Sequence, residues 1–209
     1  MKAKWAEMKS AGNKGSEFES WVKTFLKGKG YTLTDTYELG YSSDPQTWDA
    51  FNTYRAADSE AIMNTYDGLM EYDVLNQLQP AIAESYEVSA DGMTYTFKIR
   101  KGVKWVDQQG RELGEVTAND WVASMKHLID NNDALGYLMT QSDGCGIKGY
   151  DDYINGDITD FAEVGVKAVD DYTLQYTLEK PFPAFLSMMG YACFAPLNES
   201  FYKAQGGTF

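Results

Sequence analysis

AESYEVSADGMTYTFKIRKGVKW, residues 83–105, decides how the rest of the chain is read. Glu87-Val88-Ser89 reads as a short strand and Ala90-Asp91-Gly92 as a turn. Thr94 to Arg100 then alternates strictly, with Tyr95, Phe97 and Ile99 on one face and Thr94, Thr96, Lys98 and Arg100 on the other. Period-two alternation flanking an Asp-Gly pair predicts a β-hairpin, the pair supplying the positive φ angles that a tight turn requires. Lys101-Gly102 ends the second strand.

Downstream, Val106 to Glu115 is rich in Gln and Gly and reads as a connector. Thr117 then caps a helix with Asp120 at its third position and a buried stripe of Trp121, Val122, Met125, Leu128 and Ile129. Residues 133–141 read as helical and 142–161 as a Gly- and Asp-rich loop with a short helical turn. Val164 to Val169 is expected to pair with Tyr172 to Leu178 through Asp170-Asp171, a second hairpin. Beyond Pro181 and Pro183, Phe185, Leu186, Met188 and Met189 open an apolar helix or buried loop.

Upstream, Tyr31 to Tyr41 reads as a strand entering a Ser42-Ser43-Asp44-Pro45 turn, and Ala57 to Tyr72 as a helix, a βα start. Ser16-Glu17-Phe18-Glu19 is a capping box; Phe18, Trp21, Val22, Phe25 and Leu26 follow at helical spacing until Gly28 and Gly30. The lysines of this segment scatter along the flanks of its apolar stripe. A helix docking onto the body is therefore favoured over a membrane-surface or partner-binding helix.

The chain of 209 residues is 44% hydrophobic and 14% aromatic, enough for a packed core. Net charge is −13, unevenly spread: residues 1–30 hold seven Lys and three Glu, and the remaining 179 residues carry 11 basic against 28 acidic groups. An acidic body disfavours nucleic acid. No run of 18 apolar residues occurs, and the N-terminus lacks the pattern of a signal peptide. Cys145 and Cys193 form no Cys-x-x-Cys. They read as two separate buried side chains, with a disulfide as the alternative in an oxidising compartment.

Several motifs are set aside on local grounds. Gly144-Cys145-Gly146-Ile147-Lys148-Gly149 matches G-x-G-x-x-G, but a dinucleotide fingerprint needs a buried strand before it and a helix after it. Asp151, Asp152, Asn155, Asp157 and Asp160 fail calcium-loop spacing at Tyr153 and Ala162 and read as a solvated acidic loop. His127, the only histidine, falls on the polar side of its helix, so neither a Ser-His-Asp triad nor a multi-His metal site is expected. Asn198-Glu199-Ser200 is a glycosylation sequon by pattern only.

With Ala-Glu-Ser before it and Gly-Val-Lys-Trp after it, the opening hairpin resembles the signature of the family 5 solute-binding proteins. These are the oligopeptide, dipeptide and nickel receptors of bacterial ABC importers. Tyr31 to Asp49 (YTLTDTYELGYSSDPQTWD), Tyr66 to Glu71 (YDGLME), Val116 to Asp130 (VTANDWVASMKHLID) and Val166 to Pro196 fall in the family's order. The wording KWVDQQGRELGEVTANDWV departs from the family's shorter form, in which a Trp-Ser-Asp-Gly turn leads almost directly into Thr-Ala-Glu-Asp, and looks most like peptide receptors of Gram-positive bacteria.

The resemblance implies an α/β fold of the periplasmic-binding-protein type (class II, cluster C). Residues 1–30 would be a basic amphipathic extension, 31–56 and 166–209 parts of lobe I, and 57–165 an inserted α+β subdomain, with the second lobe absent from the chain. It implies a non-catalytic receptor with no cofactor and no metal, a monomer that binds oligopeptides outside the cytoplasm and delivers them to ABC permease subunits. It would be membrane-anchored at the cell surface or periplasmic. Carried over by position, Tyr41, Ser42, Ser43 and Asp44 line the ligand cleft from lobe I and Tyr137 faces it from the insert. The alternatives are a receptor for dipeptide, nickel or another small solute, or a truncated interaction or signalling module.

Overall fold

The computed structural model describes residues 1–207 except Lys14, Asp35, Tyr37 to Leu39, Tyr41, Ser42, Val74 and Leu75. The chain divides into two compact units, one of Met1–Ser42 with Val74–Gln77, the other of Ser43–Asp73 with Leu78–Phe209.

The first unit holds two helices, α1 (Lys2–Ser10) and α2 (Gly15–Gly28). The expected amphipathic helix is α2; α1 was not foreseen, because its sequence has no apolar stripe to reveal it. The two are joined by an aromatic ladder: Trp5 and Phe18 ring centroids lie 4.9 Å apart, Phe18 and Trp21 5.9 Å, Trp21 and Phe25 5.1 Å.

The second unit is built on an antiparallel sheet of order β3-β4-β8-β7, where β3 is Ala83–Val88, β4 Thr94–Ile99, β7 Val166–Asp170 and β8 Thr173–Thr177. Both expected hairpins are present, and the second is laid beside the first, with Tyr95 opposite Tyr176 and Phe97 opposite Leu174. In the first turn only Gly92 takes a positive φ, +71°, rather than the Asp-Gly pair together. Asp91 instead braces the turn, its Oδ1 accepting from Ser89 Oγ (2.5 Å) and from the Met93 N–H (3.0 Å).

Tyr95, Phe97 and Ile99 are all buried, as the alternation requires. Their face is covered by α4 (Ala118–Asp130), which packs along β7 and β8, and by the segment from Phe185 to Phe194. Phe185 packs tilted 4.6 Å from Tyr95 and edge-on 5.4 Å from Tyr176, and Phe194 lies 6.4 Å from Tyr176. Trp121 is wholly buried on α4 and donates its indole N–H to the Phe194 carbonyl at 2.9 Å. Asp120, at the helix start, accepts from the Thr117 N–H (2.8 Å), the returning half of a capping box.

Other expectations are corrected. The helix starting near Ala57 ends early: α3 is Ala56–Ile62, and Met70–Tyr72 forms β1, paired with β2 (Leu78–Pro80). Between that helix end and β1 lies Gly68, where a Cβ would meet the Met189 carbonyl oxygen at 2.8 Å. The presumed connector forms a third hairpin, β5 (Lys104–Val106) with β6 (Glu112–Glu115), closed by Asp107, which accepts from the Arg111 N–H at 2.9 Å. Residues 136–139 make a 3₁₀ turn rather than a full α-helix.

The short α5 (Tyr150–Asn155) and α6 (Phe185–Met188) match the expected short helical turns, and α7 (Glu199–Ala204) was not expected. Asn198 of the sequon caps α7, accepting from the Phe201 N–H at 3.0 Å. The expected strand over 31–41 has no counterpart among the described residues, where every strand pair is antiparallel, and part of it lies outside them.

Candidate ligand-facing surface

Asp58 organises the loop that carries the first candidate residues. It is buried on α3; Oδ1 accepts from the Gln46 N–H (2.9 Å), Oδ2 from Thr53 Oγ1 (2.8 Å), and Arg55 Nη1 stands 3.9 Å away. These donors hold its carboxyl below the usual carboxylate range, the Gln46 N–H foremost. Arg55 in turn donates through Nη2 to Ser43 Oγ at 3.2 Å. Ser43 is thus tied to α3 through Arg55, with exposed Asp44 beside it. Tyr41 and Ser42 lie outside the described residues.

Next to Arg55, Tyr54 is 81% exposed. Together with Ala56, Ser59, Glu60, Met63 and Tyr191 it lines an open hollow of about 570 Å³. Tyr191 is exposed on one side, and its phenol is shifted up by burial first, then by Cys193 and by Tyr137. Tyr137 is 52% exposed on the 3₁₀ turn. Tyr150 packs against that turn, where a Cβ on Gly136 would meet its hydroxyl at 2.7 Å.

Three exposed tyrosines and the Ser43–Arg55 pair suit a ligand with a polar backbone and varied side chains. Tyrosine offers large area at low entropic cost together with a hydroxyl. Tyr54, Arg55 and Tyr191 escaped the sequence reading. Their one signal, Tyr-Arg after a turn and an aromatic following Gly190, is too common to single out.

The other candidate chemistry resolves simply. Cys145 and Cys193 are both buried free thiols, the first pushed up to about 12 and the second raised further, burial leading in each. Gly146 and Gly149 of the glycine-rich stretch take positive φ in turns that follow a 3₁₀ segment rather than a strand. His127 does not face solvent as expected: its side chain is 9% exposed, between Phe51 (5.3 Å) and Tyr202 (4.9 Å).

Comparison with known proteins gives the class of this fold. Residues 77–209 match the model of the bacterial extracellular solute-binding proteins, family 5. The chain belongs to that family. It is 47% identical over 173 residues to the oligopeptide-binding protein AmiA of Streptococcus pneumoniae, covering 83% of this chain and 26% of that protein. Among solved structures, the peptide-bound OppA of Listeria monocytogenes superposes with a TM-score of 0.69 at 33% identity, covering 79% of this chain and 31% of that one. The OppA of Haemophilus influenzae in complex with RPPGFSPFR gives 0.68 at 32% identity, covering 78% and 31%. The chain thus spans roughly a quarter to a third of the length of these relatives. No helix among the described residues is long and apolar enough to cross a membrane.

Proposed function

We propose that this chain forms part of the substrate-binding component of an ABC importer, which takes up oligopeptides outside the cytoplasm and hands them to permease subunits. The observation that carries the reading is the hollow lined by Tyr54 and Tyr191, with the Ser43–Arg55 contact next to Tyr54 in the chain, in a fold shared with peptide-bound relatives. In such receptors the ligand backbone pairs with extended protein segments and roomy pockets accept varied side chains. Residues 31–56 and 166–209 would belong to the first lobe and 57–165 to its inserted subdomain, facing a second lobe supplied by further sequence. Closure of the two lobes would be hinge motion selected by the ligand. The receptor acts as a monomer, either anchored at the cell surface or periplasmic, and performs no chemistry on the peptide.

Calorimetric titration with a pool of random short peptides tests this, run on the 209-residue chain and on a protein extended to the full length of its relatives. Binding by the extended protein and little or none by the shorter chain is the expected result, because one wall of a cleft desolvates its ligand poorly. Absence of binding by the extended protein would overturn the peptide reading in favour of another solute.

A further inference from the structure

Asp49, His127 and Asp133 are far apart in sequence, and the fold gathers them at the C-terminal end of α4. The helix ends on Asn132 with φ +51°; the Asn132 N–H donates to the Ile129 carbonyl (3.0 Å) and the Asp133 N–H to the Leu128 carbonyl (3.1 Å). This Schellman reversal folds Asp133 back toward the last helical turn. Its Oδ2 there lies 3.4 Å from Nε2 of His127. The bend after Asp49 is fastened to the same reversal, the Leu135 N–H donating to the Phe51 carbonyl (3.1 Å) and the Ala134 N–H to Asn52 Oδ1 (3.1 Å). Asp49 is oriented by the Phe51 N–H, which donates to its Oδ1 at 2.9 Å. As a result one ligand atom from each of the three side chains lies within 4.8 Å of the others.

This is not a solvated acidic patch. Asp133 is 8% exposed, and its Oδ2 is buried without a hydrogen-bond partner. Among the described residues neither Asp49 nor Asp133 forms an ion pair with lysine or arginine. A buried carboxylate without a cation costs several kcal/mol.

We propose that Asp49, His127 and Asp133 bind a first-row divalent cation of the zinc type, clamping the loop that begins at Asp49 onto the end of α4. One imidazole nitrogen and two carboxylate oxygens match zinc or manganese and not calcium, which takes oxygen alone. Two ligands bonded tetrahedrally at about 2.0–2.1 Å stand about 3.3–3.4 Å apart, and His127 Nε2 and Asp133 Oδ2 are already separated by 3.4 Å. Asp49 closes the triangle by side-chain rotation, and water completes the shell. Asn131 Nδ2 donates to the His127 carbonyl at 2.9 Å and lies 3.0 Å from Nδ1 of the same residue. The phenyl ring of Phe51 and the phenol ring of Tyr202 wall the imidazole.

The test uses the 209-residue chain, stripped with chelator and titrated with zinc chloride by calorimetry while the imidazole signals of its single histidine are followed by NMR. One saturable site, displaced His127 resonances and a higher unfolding midpoint are expected. Asp133→Asn should weaken zinc binding at least tenfold, and Asp49→Asn should do the same if the first variant does not fold. On the unaltered chain, cobalt should produce a visible d–d absorption and paramagnetic shifts of His127, both reversed by zinc. Absence of saturable binding, binding that leaves His127 unmoved, or folded variants that bind as tightly as the parent would each overturn the site.

Discussion

Trp121 does two things that cannot be separated: it fills the space between α4 and the sheet, and it satisfies the carbonyl of Phe194. Trp121→Phe keeps most of the apolar volume but leaves that carbonyl unpaired in the core. The expected loss is about 1–3 kcal/mol, with a further term for the cavity, read as a lower denaturation midpoint at unchanged m-value. The exposed tyrosines make the opposite prediction. In a protein of the relatives' full length, Tyr54→Ala, Tyr137→Ala and Tyr191→Ala should leave stability nearly unchanged and weaken peptide binding about fivefold each, roughly 1 kcal/mol. Calorimetry that finds all three neutral would move the ligand off this surface. At this level the sequence was legible where side-chain period and burial coincide, at Tyr95, Phe97, Ile99 and Trp121. His127 was misread because helical periodicity ranks positions around one helix only. Its burial comes from Phe51 and Tyr202, which reach it from elsewhere in the chain.

One carboxylate ties the β5–β6 hairpin to its neighbours, beside the Trp105 indole bond to Asp120 (3.1 Å). Glu115 accepts from the Gly102 N–H (2.7 Å), the Tyr172 hydroxyl (2.8 Å) and Lys104 Nζ (3.3 Å), joining the hairpin to the turn before β8. These contacts, the Gly102 N–H first, hold its carboxyl below the ordinary glutamate range. A carboxyl depressed in the folded state contributes stability that is present in full above its unfolded value. That contribution is lost as pH falls through the folded one. Glu115→Gln should therefore lower the unfolding midpoint at about pH 7 and shrink the further loss on acidification to about pH 4. A midpoint that falls with acid as steeply as in the parent would assign the effect to other carboxylates. The hairpin itself could have been read in sequence: Lys-Trp-Val and Glu-Leu-Gly-Glu flank an Asp-Gln-Gln-Gly turn. Strands of three or four residues give too little alternation to stand out from a connector, and the same shortness hid β1 and β2. Helix α4, long and with both its cap and its stripe in place, was legible throughout.

The core of the second unit is a main cluster running from Phe51 to Leu197 with a small satellite of Ala50, Ile62 and Ala192, and every residue in both belongs to that unit. The first unit has an aromatic ladder of its own, with Trp5 and Phe18 its most buried members. A domain's cooperative stability follows the core it buries, so a segment that contributes no residue to that core is removable at little cost. A chain lacking residues 1–30 should unfold cooperatively at a midpoint within about 2 °C of the intact chain, since a shift of about 1 kcal/mol moves a domain of this size by only about 2–4 °C. The amide protons of β4, β8 and α4 should keep their slow exchange. A midpoint lower by more than that margin, together with faster exchange in those elements, would mean that the two helices dock onto the body and share its stability. The sequence favoured such docking from the scatter of lysines around an apolar stripe. That argument identified which face of α2 is buried but left open what buries it, and part of the answer is now α1, whose Trp5 packs on Phe18.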